Sequence, residues 1–160
     1  MFEQPRFSYP VLALLLLMPQ GLFVVGEFMA WGIRFPFLRW QDSAFGPSVI
    51  PLNRELTYIL NGTVGGRTAF ASGVWLAGVI LLVAAAALVV AWQSFGIAGL
   101  ASYPGPLVAL TGVFFLAWAM VQYGPLLSGP SGFGIPFGVP LLWYCGWQFT
   151  KDGKEAVVPG

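Results

Sequence analysis

The sequence contains no histidine and a single cysteine, Cys145. Without imidazole it lacks the commonest general base and the commonest protein ligand for haem, zinc and copper. A Ser–His–Asp relay is therefore impossible. One cysteine forms no intrachain disulfide and no thiolate cluster, so metal and iron–sulfur chemistry within the chain is not expected, and no cofactor is expected. Charge is equally scarce. Only 8% of the 160 residues are charged, against about 25% in a soluble domain. The balance is six acids to seven Lys and Arg, net +1, which supplies no field to attract nucleic acid. Phosphate-loop and dinucleotide fingerprints are also missing. The glycines of "GPSGFG" lack the strand–turn–helix setting that such a motif requires.

Apolar residues fill the gap. They make up 58% of the chain, and the mean hydropathy is +0.79. From Thr68 to Thr150 there is no Asp, Glu, Lys or Arg, an interval long enough for three membrane spans of roughly 20 residues each. These features predict an all-α integral membrane protein: a four-helix transmembrane bundle forming a single domain over residues 1–160. The spans are expected at about 9–33, 68–92, 107–127 and 134–149.

The first segment, Tyr9 to Ile33, is longer than the roughly 7–15 apolar residues of a signal peptide, and no A-x-A cleavage site follows it. It reads as a retained span kinked at Pro19. Residues 34–67 form the long polar loop, with Arg34, Arg39, Arg54 and Arg67 against Asp42 and Glu55. Within the loop, Leu52, Leu56, Ile59 and Leu60 recur at helical spacing before Asn61-Gly62, which predicts a short amphipathic helix lying at the membrane surface. The same Asn61 opens an N-G-T sequon. Thr68–Trp92 and Leu107–Leu127 are the clearest spans. The last span is broken: "SGPSGFGIPFGVP", Ser128 to Pro140, combines four glycines with three prolines. A helix starting at Pro136 rises only about 21 Å before Lys151, short of the ~30 Å hydrocarbon core. Extended backbone leading into it must be shielded by protein. The tail after Thr150 reads as polar and frayed.

Candidate functional residues are few. Glu27 is the one acid inside an apolar segment, and an intramembrane ionisable group is a candidate for proton or cation binding. Arg34 follows it by seven residues on about the same helix face, and Gln122 is the corresponding polar group of the third span. Arg39, Arg54 and Glu55 are candidate interfacial residues. Gln20, Gln93, Thr111 and Tyr123 are expected to bond between helices. The predicted function is that of a non-catalytic accessory or structural subunit of a membrane complex, with the lipid bilayer and a membrane-protein partner or second copy as its associates. Two further readings are open: a small-solute or ion transport component using Glu27 and the Ser128–Pro140 break, and a lipid-modifying membrane enzyme built on the polar loop. The cationic residues divide almost evenly between the two sides, and the free amino terminus tips the expectation towards cytoplasmic termini in a multi-pass cell-membrane protein.

Overall fold

The computed structural model describes residues 8–26 and 29–157. Its secondary structure corrects the all-helical expectation: a six-stranded antiparallel sheet accompanies the helices. The elements are α1 (Ser8–Leu17), β1 (Gly21–Val25), β2 (Ala30–Arg34), β3 (Leu38–Ser43), β4 (Gly46–Pro51), α2 (Leu52–Leu60), α3 (Gly66–Phe95), a single 3-10 turn (Ala98–Leu100), α4 (Pro104–Tyr123), β5 (Ser128–Gly129), β6 (Gly132–Ile135) and α5 (Val139–Val157). The sheet order is β4-β3-β2-β1-β6-β5.

Two helices, α3 with 30 residues and α4 with 20, are long and apolar enough to cross a membrane. The four-helix multi-pass bundle is not what the chain forms. The first expected span, 9–33, is divided. Proline cannot continue a helix without losing a bond one turn back, and α1 stops at Leu17, ahead of Pro19. Its 10 residues rise about 15 Å, half a hydrocarbon core. The remainder of that segment, with Val24, Val25 and Ile33 among glycines, becomes β1 and β2. The polar loop 34–67 is ordered as β3, β4 and α2. The fourth span, 134–149, is likewise corrected. Residues 132–135 belong to β6, and the helix opens at Val139 and runs through Lys151, Asp152, Lys154 and Glu155 to Val157, so the tail is helical rather than frayed.

The extended backbone of the Ser128–Pro140 stretch satisfies its amides by strand pairing. β6 pairs with β1 in the register Leu22↔Ile135 and Val24↔Phe133, and β5 folds back on β6. Gly132 makes the turn possible: its φ is 122°, and a Cβ there would strike the Val24 carbonyl.

α3 and α4 form an antiparallel hairpin. Arg67 at the start of α3 donates to the Val121 carbonyl near the end of α4. Gly78 lets the two helices approach, since a Cβ there would lie 2.7 Å from the Phe115 ring. Against one half of this hairpin lie α1 and α5. Tyr9 meets Ser94 at 3.3 Å, and Gly105 and Gly112 of α4 sit beneath Thr150 and Trp143 of α5. Against the other half lies the sheet, with Gly21 under Trp118 and Gly134 under Tyr123. The helix ends remote from the sheet are therefore the start of α1, the end of α3, the start of α4 and the end of α5. Trp75, Leu82, Phe115, Trp118 and Leu142 are almost wholly buried between these layers.

Candidate functional site: a sealed ion cluster at the sheet–helix junction

Strand pairing places Arg34 of β2 directly beside Arg39 of β3, both on the sheet face turned towards the helices. α2 follows β4 immediately, and the Leu52 N–H donates to the Phe37 carbonyl at 2.8 Å. That docking folds α2 back so that Glu55 arrives over the two arginines. Arg34 Nη2 donates to Glu55 Oε2 at 2.7 Å, and Arg39 Nη1 stands 3.3 Å from Glu55 Oε1. The second contact is an ion pair without hydrogen-bond alignment, so Glu55 Oε1 and Arg39 Nε have no hydrogen-bond partner. The two ion pairs found among the described residues both converge on this one carboxylate.

The hairpin closes the cluster with aromatic rings. The Arg34 guanidinium carbon lies 4.5 Å from the Trp75 ring centre and 4.9 Å from that of Trp118. Trp75 stacks on Phe115 at 4.0 Å and meets Trp118 edge-on at 4.9 Å. Its indole N–H points to the Pro36 carbonyl, 3.4 Å away. Arg39 lies 5.8 Å from the Phe23 ring centre. The Arg34 and Glu55 side chains are only 4% and 11% exposed. Burial, with Arg39 reinforcing it and Glu55 opposing it, pushes the Arg34 guanidinium down to about 10, so it is charged at neutral pH. A desolvated guanidinium over indole gains about 2 kcal/mol, which offsets part of the cost of burying the cluster with Glu55 Oε1 and Arg39 Nε unbonded.

Chemically the arrangement is a fastener. Both oxygens of Glu55 face arginines, and among the described residues no second carboxylate pairs with them; the buried Tyr123 hydroxyl is a further ionisable group near both arginines. Among the described residues no group of three or more His, Cys, Asp or Glu comes together to hold a metal ion.

The other candidates are dispersed. Glu27 lies outside the described residues. Gln122 reaches Thr68 at 3.5 Å across the start of the hairpin. Arg54 is exposed, 5.6 Å from the Tyr58 ring centre. Gln20 is fully buried and donates to the Leu15 carbonyl at 3.1 Å, while its Oε1 has no hydrogen-bond partner. Thr111 bonds within its own helix, to the Leu107 carbonyl. The Ser128–Pro140 break is the β5–β6 hairpin and the approach to α5. A small apolar cleft of about 160 Å³ opens between α1 and α5, lined by Val11, Leu14, Leu141, Cys145 and Phe149 among others.

Sequence reasoning singled out Arg34, Arg39 and Glu55 but did not join them, and it missed Trp75 and Trp118. Their signal was position: both lie well inside apolar spans, away from the charged ends where interfacial tryptophans collect. Compared with protein-family models, with curated proteins and with solved structures, the chain matches none.

Proposed function

We propose that this chain is a non-catalytic, membrane-held accessory subunit whose α3–α4 hairpin crosses the bilayer, with the sheet at one surface. One observation carries the membrane placement. The charge-free interval folds into a single band bounded by charge at both ends. Arg67 stands at the level of Val121, while Thr150, next to Lys151, stands at the level of Gly105. The sixteen steps from Gly105 to Val121 rise about 24 Å, most of the ~30 Å of a hydrocarbon core, and Ala101, beside Gly153, lies beyond Lys151 at the headgroup level. Outward-facing Phe70, Ile80, Val83, Val90, Leu110 and Val113 are 41–65% exposed along it. Lipid or a partner helix covers such a surface.

Two features support the accessory role. The charged residues that meet inside the protein, two arginines on one carboxylate, are engaged with one another and with aromatic rings, so among the described residues they offer no open constellation for catalysis. Exposed apolar side chains extend along both α3 and α5, including Trp143 and Trp147, which offers partner helices a broad surface. With the two arginines engaged by Glu55 set aside, Arg54 and Arg67 stand on the sheet side, whereas Lys151 and Lys154 lie at the far end and Arg6 precedes α1. We place that far end in the cytoplasm. Purification from native membranes in mild detergent, followed by mass spectrometry of the intact assembly, tests the subunit role. A stoichiometric complex with a second membrane protein or with further copies of the chain is expected. A monodisperse monomer overturns it.

A further inference from the structure

The sheet is inside out. The register places Gly21, Arg34, Arg39 and Ile50 side by side on the inner face, followed by Gly134, Phe23, Gly32, Gln41 and Ser48. This face, the one turned towards the helices, carries both arginines, Gln41, Ser48 and three glycines, beside Phe23 and Ile50. The outer face carries an unbroken apolar row across five strands: Ile135, Leu22, Ile33, Trp40 and Val49. A sheet covering a core in water shows the opposite alternation, apolar inward and polar outward. Apolar-out, polar-in is the pattern of strands that face lipid.

We propose that the outer face of the sheet is a lipid-contact surface, its apolar row lying against the acyl chains at the border of one leaflet. This rests on the placement of the α3–α4 hairpin in the bilayer and goes beyond it, because it immerses part of the sheet as well. Depth supports it. Gly21 abuts Trp118 and Gly134 abuts Tyr123, so the row between them is level with Val121 and Arg67, at the edge of the charge-free band. Two residues further along the strands, Asp42 and Trp31 stand opposite each other, with Trp31 edge-on to Trp40 at 5.0 Å. Tryptophan with the first outward carboxylate is what a headgroup boundary selects. Exposure is greatest at the two ends of the row, where Val49 is 55% and Ile135 52% exposed, with Leu22, Ile33 and Trp40 half-buried between them.

The free edge is adapted in the same way. Since Leu52 N–H bonds the Phe37 carbonyl, the same parity along the β3–β4 ladder puts Pro47, Val49 and Pro51 with their backbone nitrogens outward. Two of those three positions have no N–H, so the edge exposes one donor to a medium in which unpaired donors are costly. The same prolines block strand addition by a second copy.

Spin labels test this on the full chain in phosphatidylcholine vesicles, in a Cys145→Ala background. Accessibility to oxygen, which partitions into lipid, is compared with accessibility to a water-soluble nickel chelate. At Val49→Cys and Ile135→Cys oxygen access exceeds nickel access, as at Ile80→Cys on α3, while at Ala44→Cys in the β3–β4 turn the ratio inverts. Nickel access at both sheet positions equal to that at Ala44→Cys, with Ile80→Cys still in lipid, overturns lipid contact and leaves the hairpin in the bilayer. Shielding of both sheet positions from both reagents means that protein covers the face, which also overturns it. Nickel access at Ile80→Cys overturns this inference together with the membrane placement.

Discussion

Replacing Glu55 by glutamine keeps the size of the side chain and removes the one negative charge between two arginines. Arg34, with its side chain 4% exposed, cannot recover hydration without opening the sheet from the hairpin. Breaking a buried pair in this way costs about 3–5 kcal/mol. The Trp75 and Trp118 faces continue to hold the guanidinium, at about 2 kcal/mol for a desolvated contact, so the lower end of that range is expected. A loss of about 3 kcal/mol is roughly a hundredfold in the folding equilibrium, or a fall in Tm of about 6–12 °C for a chain of this size. Thermal unfolding in detergent micelles, followed by tryptophan emission, reads it directly because two of the reporting rings touch Arg34. Arg39→Met, at a side chain 23% exposed, costs less than Glu55→Gln. A triple variant with Arg34→Met, Arg39→Met and Glu55→Leu recovers much of the loss, since removing all the charges leaves none unpaired. A Glu55→Gln protein melting within about 2 °C of the parent, less than 1 kcal/mol by the same scaling, refutes the sealed cluster.

Three further outcomes follow from packing. Gly78→Ala drives a methyl group into the Phe115 ring and destabilises by about 1–3 kcal/mol, whereas Gly73→Ala, with open space around its Cβ position, stabilises α3 by up to about 1 kcal/mol; paired melting curves show the opposite signs. Gly32→Ala brings a Cβ to 2.6 Å from the Phe23 ring and against the Trp40 carbonyl, and lowers the unfolding midpoint by an amount equivalent to about 1–3 kcal/mol. Trp118→Leu removes one of the two rings over Arg34 and lowers stability by about 2 kcal/mol or more, and Trp118→Phe recovers part of that in the same assay.

The hairpin was legible in the sequence because its signal is local. Thr68–Trp92 and Leu107–Leu127 are continuous apolar runs without charge, and α3 and α4 contain most of both. The Leu52–Leu60 periodicity marks where α2 forms, yet its buried member is Glu55, while Leu60 is 83% exposed. The sheet was not legible, for two physical reasons. Its strands do not alternate in the usual sense: "GLFVV" and "AWGIR" put Gly21, Gly32 and Arg34 inward beside Phe23, and Leu22, Val24, Trp31 and Ile33 outward, so together they read as the second half of a hydrophobic span. Its central pairing also joins Leu22 to Ile135, more than a hundred residues apart, which no local pattern encodes. Pro19 was read as a kink where it is a terminus, the difference being that β1 offers the following backbone a partner in β6. Arg34 stood out as a charge beside an apolar segment. Its partner Glu55 lies 21 residues on, and the fold of β3, β4 and α2 alone brings the two together.

Crossing of the bilayer by the α3–α4 hairpin is the central claim, and two single-cysteine variants test it most directly. In a Cys145→Ala background, Thr63→Cys lies at the sheet end of the charge-free band and Ser102→Cys, exposed in the turn between α3 and α4, at the far end. Treated with a membrane-impermeant maleimide, intact cells label Thr63→Cys at once, and label Ser102→Cys only after the membrane is permeabilised. Labelling of both positions in intact cells contradicts the account, because a chain that does not cross presents both ends of the band on one side.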